Sequence, residues 1–226
     1  MTRKTVAIIV AGGTGSRMNS DIPKQFLSLS GEEIISHTVK VFEKCDFIDE
    51  IIIVCHKDYI GHCKKLFINI KNLSVIEGGN TRQESVFNGL NASKDSKYVL
   101  IHDAVRCLVT KEEIKNLYST LISDGSCTLA VKVKDTIKMS GENNTVIKTI
   151  PRENLWQIQT PQAFLTNEIY NAHLYAKKTG FVGTDDCSVM ENANKPIILV
   201  EANYENIKIT TPSDMEIAKV FLKGRK

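Results

Sequence analysis

Residues 7–18 have the sequence AIIVAGGTGSRM. Four consecutive apolar residues that end at a cluster of glycines are typical of a buried strand in a parallel sheet. Glycines directly after such a strand let backbone amides approach an anion closely. The stretch therefore predicts a β-strand followed by a phosphate-binding turn, with Arg17 placed to add a fixed positive charge. A glycine-rich turn that binds nothing is the alternative interpretation.

Two common nucleotide-binding motifs do not fit this turn. The phosphate loop of nucleoside triphosphatases ends in Gly-Lys-Ser/Thr, whereas this turn ends in Arg17 and Met18. The dinucleotide fingerprint Gly-x-Gly-x-x-Gly fits Gly13 and Gly15, but Met18 stands in place of the third glycine. The sequence therefore disfavours a nicotinamide- or flavin-dependent oxidoreductase.

The composition is that of an ordinary globular protein. Of its 226 residues, 42% are hydrophobic and 24% charged, and the formal net charge of +3 is too small to predict a nucleic-acid or membrane partner. No apolar segment is long enough to span a bilayer. The six cysteines include no Cys-x-x-Cys pair, which argues against a disulfide framework. We therefore expect a cytoplasmic protein.

Apolar runs alternate with stretches of helical periodicity along most of the chain. The runs lie near residues 5–11, 50–55, 73–77, 97–102 and 127–133. Strands that alternate with helices predict right-handed crossovers and a mostly parallel sheet covered on both faces. We expect a single α/β domain over residues 1–226, with a doubly wound, Rossmann-like sheet.

The alternation stops after Val133. Residues 135–150 predict two short strands around an SGENN turn, and such a hairpin is marginal alone, so a second copy of the chain is a plausible support. The later predictions are a helix over about 166–178, a helix from Asp185 capped by Thr184, a strand near 197–201, a short strand within 206–212 and a helix that begins at Thr211-Pro212.

Three polar loops follow predicted strands, at residues 12–24, 77–85 and 102–106. Ligands of open parallel sheets bind at the carboxyl ends of the strands, so we expect these loops to converge on one crevice. Within them, Arg17 and Lys24 provide two cations that suit a polyphosphate. For Lys24, a solvated surface lysine is the alternative.

Asp103 ends a predicted strand, where a carboxylate suits a Mg²⁺ ion that bridges phosphates. An Asp103–Arg106 pair that holds the loop is the alternative. His102 is expected to be structural, because no serine or cysteine partner is identifiable beside it. Lys208 is either a solvent-facing charge or a third cation that points into the crevice.

Eight motifs, in this order, resemble the 2-C-methyl-D-erythritol 4-phosphate cytidylyltransferase family of nucleotidyltransferases. They are AGGTGSRM (11–18), PKQFL (23–27), EGGNTRQESV (77–86), HDAVR (102–106), DTIK (135–138), QTPQAF (159–164), TDD (184–186) and NIKITTP (206–212). The resemblance implies that a cytidylyl group passes from CTP to a small polyol phosphate, with Mg²⁺ and release of pyrophosphate. It also implies a homodimer built through an arm at about residues 135–152.

The resemblance assigns a role to each matching residue. Arg17, Lys24 and Lys208 are the implied catalytic cations, and Asp103 is implied beside the ribose and the metal. The implied nucleotide contacts are Ala11, Gly12, Gly13, Gly15, Gly79, Asn80, Ser85, Asp103 and Ala104. The implied contacts to the polyol phosphate are Arg106, Asp135, Thr136, Arg152 and Thr160, of which Thr136 and Arg152 reach the partner's site.

Some positions depart from the family pattern. The usual HDAARP is HDAVRC here, and Gly12 stands where alanine is frequent. Val105 and Gly12 resemble the related ribitol-5-phosphate cytidylyltransferases, which makes ribitol phosphate the alternative acceptor. An alternative from a different class is a non-catalytic nucleotide-binding protein, which would bind CTP without turnover.

Overall fold

The structure is a computed structural model that describes residues 4–13, 18 and 22–225. The strands, in chain order, are β1 (Thr5–Ala11), β2 (Ser28–Leu29), β3 (Glu32–Glu33), β4 (Glu50–Cys55), β5 (Leu73–Glu77), β6 (Tyr98–Asp103), β7 (Cys127–Lys132), β8 (Ile137–Ser140), β9 (Val146–Ile150), β10 (Trp156–Leu165) and β11 (Ile198–Glu201). The helices are α1 (Ile34–Glu43), α2 (Ile60–Leu66), α3 (Arg82–Ala92), α4 (Lys111–Ser123), α5 (Thr166–Thr179), α6 (Asp186–Asn192) and α7 (Pro212–Gly224).

Across the described residues, seven strands form one sheet in the order β11-β7-β10-β6-β1-β4-β5. Neighbouring strands are parallel except for β10, which is antiparallel to both β6 and β7. The mostly parallel α/β sheet predicted from the alternation is therefore confirmed. Strand β10 is an addition to the prediction, and its register shifts between Ile158 and Gln162.

The side chains of β1 show how the two faces of the sheet are covered. Val6 and Ile8 pack into the apolar core on the side of α3 and α5, whereas Ala7 and Ile9 pack into the core on the side of α1 and α4. A Cβ atom on Gly89 of α3 would lie 2.6 Å from Cγ2 of Ile8, so only glycine allows α3 to approach β1 this closely. Among the described helices, none is both long enough and apolar enough to cross a membrane.

Two local predictions near the carboxyl terminus are wrong. The cap of α6 is Asp185 rather than Thr184, because the Asp185 carboxylate accepts a hydrogen bond of 2.9 Å from the backbone N–H of Ser188. No strand forms over residues 206–210, although the backbone N–H of Ile209 donates to the carbonyl of Val105 at 3.0 Å. The predicted start of α7 is confirmed, since Thr211 caps it in a capping box with Asp214.

The predicted hairpin over residues 135–150 is confirmed by β8 and β9, which pair antiparallel as a separate two-stranded sheet. It extends from the paired ends of β7 and β10, where the backbone N–H of Val133 donates to the carbonyl of Leu155 at 3.0 Å. Val146 and Ile147 on β9 are 62% and 63% exposed. We call residues 134–154 the arm.

Candidate active site

A crevice of about 410 Å³ opens at the carboxyl ends of β1, β5 and β6. Its walls come from the loops after these strands, so the predicted convergence is confirmed. We call it the first cavity. The sequence-predicted site residues that line it are Ala11, Gly12, Gly13, Lys24, Gly79, Asn80, Ser85, Asp103, Ala104 and Lys208.

Gln25 fixes residues 11–13 at the end of β1, which we call the glycine turn. Its side chain is 3% exposed, and its amide nitrogen donates to the carbonyls of Ala11 at 2.6 Å and Gly13 at 3.1 Å. Both carbonyls are thereby satisfied inside the protein. Gln25 follows Lys24 in a short 3₁₀ turn that begins after Pro23, so the same segment holds the glycine turn and places Lys24 on the cavity wall.

The second wall is the loop between β5 and α3, which we call the Gly79 loop. The backbone N–H of Gly79 donates to the Ser85 hydroxyl at 3.1 Å, and the N–H of Asn80 donates to the Glu84 carboxylate at 2.7 Å. A Cβ atom on Gly79 would lie 2.2 Å from Cβ of Glu84, so this compact loop requires glycine. Glu84 therefore holds the loop in place through its carboxylate. Its negative charge also interacts favourably with the N-terminus of α3.

Asp103 ends β6 as a buried, ionised carboxylate. Its Oδ1 accepts from Nε of Arg82 at 3.1 Å, and its Oδ2 accepts from Nζ of Lys208 at 2.7 Å. Burial opposes ionisation, but the charges of Arg82 and Lys208 outweigh it and lower the pKa of Asp103. The alternative Asp103–Arg106 pair is wrong, because Arg106 instead donates from Nη1 to the carbonyl of Asn206 at 2.7 Å.

Lys208 points into the crevice as a third cation, which confirms the second of its two predicted alternatives. Its neighbour Ile209 is fully buried on the opposite side of the segment.

The described lining of the first cavity contains more positive than negative side chains. Its basic side chains are Lys24, Arg82 and Lys208, and its acidic one is Asp103. The lining therefore has an excess of positive charge, which suits a polyanionic ligand.

A second cavity of about 570 Å³ adjoins the first. The two cavities share Arg82, Asp103 and Lys208 in their linings. Arg106 and Thr160, which the resemblance assigns to the polyol phosphate, line the second cavity. Asp103 and its two cationic partners thus form the boundary between a space lined by the glycine turn and a space lined by Arg106 and Thr160.

Thr160 is held by a short hydrogen-bond chain. Its Oγ1 accepts from the backbone N–H of Asp103 at 3.1 Å and lies 3.0 Å from Nδ1 of His102. Nε2 of His102 lies 3.2 Å from the carbonyl of Arg106 and therefore carries the ring proton, so the Thr160 hydroxyl donates to Nδ1. Burial lowers the pKa of His102 to about 3, and the neutral ring has the structural role that the sequence predicts.

The structure does not bring every predicted residue into these cavities. Asp135, Thr136 and Arg152 are exposed at the base of the arm and line neither cavity of their own chain. Arg152 donates from Nη1 to the carbonyl of Lys134. Gly15 and Arg17 lie outside the described residues, so their assigned roles stay predictions.

Arg82 and Gln25 are parts of the site that the sequence did not identify. Both stand inside recognised motifs, but neither has a distinctive position in the sequence. Arg82 is the first residue of α3, and its partners Asp103 and Asp186 come from distant parts of the chain. The one feature of the sequence that could have indicated a role for Gln25 is its position directly after Lys24 in PKQFL.

The described lining of the first cavity provides too few ligands to bind a metal ion without help from a substrate. Asp103 is its one carboxylate, and both of its oxygens already accept from cations. Among the described residues, no group of three or more histidine, cysteine or acidic side chains is arranged to hold a metal. Mg²⁺ commonly binds to one or two carboxylates together with substrate phosphates and water. The single carboxylate of Asp103 fits a site of that kind, and does not fit a site built from protein ligands only.

Comparison with known proteins gives consistent matches. Residues 5–224 match the family described as IspD, 2-C-methyl-D-erythritol 4-phosphate cytidylyltransferase. A protein of that name from Alkaliphilus oremlandii is 42% identical over 228 residues, which cover 99% of this chain and 97% of the relative. One from Clostridium novyi is 44% identical over 230 residues, with coverage of 99% and 98%.

Solved structures give the same result. The 4-diphosphocytidyl-2C-methyl-D-erythritol synthase from Anaerococcus prevotii superposes with a TM-score of 0.88 at 32% identity, over 98% of this chain and 96% of that one. The 2-C-methyl-D-erythritol 4-phosphate cytidylyltransferase from Francisella tularensis superposes with a TM-score of 0.84 at 33% identity, over 96% and 99%. The sequence matches and the fold thus agree over nearly the full length.

Proposed function

This chain belongs to the 2-C-methyl-D-erythritol 4-phosphate cytidylyltransferase family, and on that premise we propose that it transfers a cytidylyl group from CTP to 2-C-methyl-D-erythritol 4-phosphate. A phosphate oxygen of the acceptor forms a bond to the α-phosphorus of CTP. The bond from that phosphorus to the oxygen shared with the β-phosphate breaks, and pyrophosphate leaves. The product is 4-diphosphocytidyl-2-C-methyl-D-erythritol, a precursor in non-mevalonate isoprenoid biosynthesis.

One observation carries this proposal: two cavities meet at Asp103, Arg82 and Lys208. A transfer between two phosphates needs two anionic substrates in contact, with cations at the point where they meet. The first cavity, with its glycine turn and the Gly79 loop, is the CTP side. The second cavity, with Arg106 and Thr160, is the acceptor side.

Because the acceptor phosphate is itself the nucleophile, the protein has to position the substrates and stabilise the developing negative charge. We assign this stabilisation to Lys24 and Lys208, and by resemblance to Arg17. Lys208 is held by Asp103 at 2.7 Å, so its ammonium group is already oriented at the boundary between the cavities. Fixed charges that need no rearrangement are the most effective form of such catalysis.

We propose that the reaction uses Mg²⁺ as a cofactor. Asp103, the one carboxylate in the described lining of the first cavity, would help to hold this ion, directly or through water. When bound, Mg²⁺ neutralises phosphate charge. Lys24 and Lys208 supply the protein's own share of that neutralisation.

We also propose that two copies of the chain associate through their arms, in the cytoplasm. Val146 and Ile147 are apolar and largely exposed, and an isolated hairpin of this size is marginally stable. Asp135, Thr136 and Arg152 line neither cavity of their own chain, which is compatible with a role in the partner's acceptor cavity. Arg152 suits a phosphate because its guanidinium binds anions in a bidentate manner.

The test is incubation with CTP and Mg²⁺, and with either 2-C-methyl-D-erythritol 4-phosphate or ribitol 5-phosphate, while pyrophosphate release is measured. We expect release with the methylerythritol phosphate at a kcat/KM well above that for ribitol phosphate. A reversed preference would support the alternative acceptor. CTP binding without release for either acceptor would contradict the proposal and favour a non-catalytic nucleotide-binding protein.

A further inference from the structure

We propose that Asp186 is a positioning residue: acting through Arg82, it holds Asp103 and Lys208 at the boundary between the two cavities. This inference rests on the proposed function. It is carried by a continuous series of charged contacts that runs from the first residue of α6 to the reaction centre.

Asp186 is a buried carboxylate outside both cavities. It is 1% exposed, and its Oδ2 accepts from Nη2 of Arg82 at 2.9 Å. His173, also buried, has its Nε2 3.5 Å from Oδ1 of Asp186. Burial opposes the charge, yet Arg82 and His173 lower the pKa of Asp186, so it remains ionised. An ionised group at this depth is destabilising unless it is paired, and Arg82 is its closest cation.

Arg82 joins two carboxylates through two different nitrogen atoms. Nη2 binds Asp186 at 2.9 Å, and Nε binds Asp103 at 3.1 Å. The guanidinium is planar and its N–H directions are fixed, so these two contacts set both its position and its rotation. Lysine carries the same charge but lacks this fork geometry. Asp186 therefore determines which N–H edge of the guanidinium Arg82 presents to Asp103.

Asp103 transmits this constraint to Lys208. Oδ1 faces Arg82 and Oδ2 faces Lys208 at 2.7 Å, so a rotation of the carboxylate would move both contacts. The far end of the series is also fixed, because Oε1 of Gln162 on β10 accepts from the backbone N–H of Asp186 at 3.0 Å. A displaced cation at the reaction centre is costly, since about 1 Å of misplacement can reduce turnover about 100-fold.

The main experiment compares the full-length wild type with Asp186→Asn, which keeps the size and removes the charge. We expect kcat to fall about 10- to 100-fold. The KM for CTP should change less than about threefold, because the glycine turn and the Gly79 loop are untouched. Val189→Ala is the matched control: Val189 is a buried residue of α6 that lines neither cavity. It should lower the melting temperature and leave kcat unchanged.

Arg82→Lys provides a second test at a side chain that is only partly buried, with 28% of its surface exposed. It retains the charge and should lower kcat as Asp186→Asn does. The double variant Asp186→Asn/Arg82→Lys should be no slower than the slower single variant, because both act on one series of contacts. A double variant whose losses multiply would overturn the proposal, as would Asp186→Asn or Arg82→Lys with wild-type kcat.

A crystal structure of Asp186→Asn gives a readout that is independent of turnover. We expect the Arg82 guanidinium to rotate and its contact with Oδ1 of Asp103 to lengthen or break. Unchanged positions of Arg82, Asp103 and Lys208 would overturn the inference. A wild-type protein that releases no pyrophosphate would instead contradict the proposed function, and the crystallographic comparison would still decide the role of Asp186.

Discussion

Lys24 and Lys208 come from opposite ends of the chain and line the same cavity. Lys24 is placed by the 3₁₀ turn after Pro23, and Lys208 is placed by its contact with Asp103. In the proposed mechanism, both charges stabilise the same developing phosphate charge, although they are held by different means. Their individual contributions can therefore be separated by substitution.

Lys24→Ala should reduce kcat by about two to three orders of magnitude, which is typical for loss of one transition-state donor. The fold should survive, because Lys24 is only partly buried and the glycine turn is held by Gln25. Pyrophosphate release and the far-UV circular dichroism spectrum measure the two effects. Lys65→Ala is the control, since Lys65 is an exposed lysine of α2 that lines neither cavity. Unchanged turnover in Lys24→Ala would remove Lys24 from the mechanism.

His102 should make the stability of the protein sensitive to mild acid. Its pKa of about 3 in the folded state lies below the unfolded value of about 6.5, so the unfolded chain binds a proton first as the pH falls. The contribution of His102 is thus present above pH 6.5 and lost as the pH falls toward 3. Between pH 7 and 4.5, wild type should lose about 2 to 3 kcal/mol of unfolding free energy relative to His102→Gln.

Urea denaturation of both proteins at several pH values measures this difference. The other histidines are common to both proteins and cancel. Asp103 also has a lowered pKa, but its contribution is lost only below its unfolded value of 3.8, outside this interval. Parallel pH profiles for the two proteins would show that His102 is not buried in its neutral form.

At the scale of elements, the strands and helices with clear periodicity were predictable from the sequence, and β10 was not. Its segment contains Pro161 and three glutamines, a pattern that argues against a central strand. The structure accommodates both features, since the register shifts beside Pro161 and Gln162 is paired with Asp185 and the start of α6. These partners are distant in sequence, so local patterns could not reveal them.

Distant partners also account for the site residues that the sequence did not reveal. The glycine turn and HDAVR were recognisable as local motifs. By contrast, the role of Arg82 depends on Asp103 and Asp186 together, which only the folded chain brings within 3.1 Å of it. The predicted strand around Lys208 is wrong because residues 206–210 do not alternate between buried and exposed positions: Asn206 and Ile209 are both fully buried. The segment is joined to Val105 by a single backbone hydrogen bond, from the N–H of Ile209.

The contact between α3 and β1 should be intolerant of any added volume. Gly89→Ala places a Cβ atom 2.6 Å from Cγ2 of Ile8, so it should destabilise the protein by about 1 to 3 kcal/mol through overpacking. Gly61→Ala is the control, because a Cβ atom there meets nothing within 4 Å in α2 and should stabilise by about 0.4 to 1 kcal/mol. Chemical denaturation measures both. A neutral Gly89→Ala would indicate looser packing between α3 and β1.

The arm should determine the oligomeric state. Ile147→Asp places a charge on its exposed apolar surface and should convert dimers to monomers in sedimentation-velocity experiments. The KM for the acceptor should rise, whereas CTP binding should be retained. Ile68→Asp is the control, because Ile68 is 77% exposed and lies outside the arm. A dimer that survives Ile147→Asp would place the interface elsewhere.

At the scale of the whole molecule, the proposed dimer makes each acceptor site a product of two chains. Lys24→Ala subunits should therefore complement Arg152→Ala subunits. Random mixing of the two gives one intact site in each mixed dimer, so about a quarter of the wild-type activity should return. Pyrophosphate release after subunit exchange measures this recovery. Activity equal to the average of the two parent proteins would mean that each site is built from one chain.

The arm leaves and re-enters the sheet at adjacent points, because Val133 and Leu155 are already hydrogen-bonded to each other. Excising residues 134–154 and closing the gap with Asn-Gly would join two antiparallel strands by the tight turn they most readily accept. The arm is thus a module that could be removed from the nucleotide-binding body without cutting through its seven-stranded sheet. A miniaturised version of the chain should keep nucleotide affinity after the module is cut away.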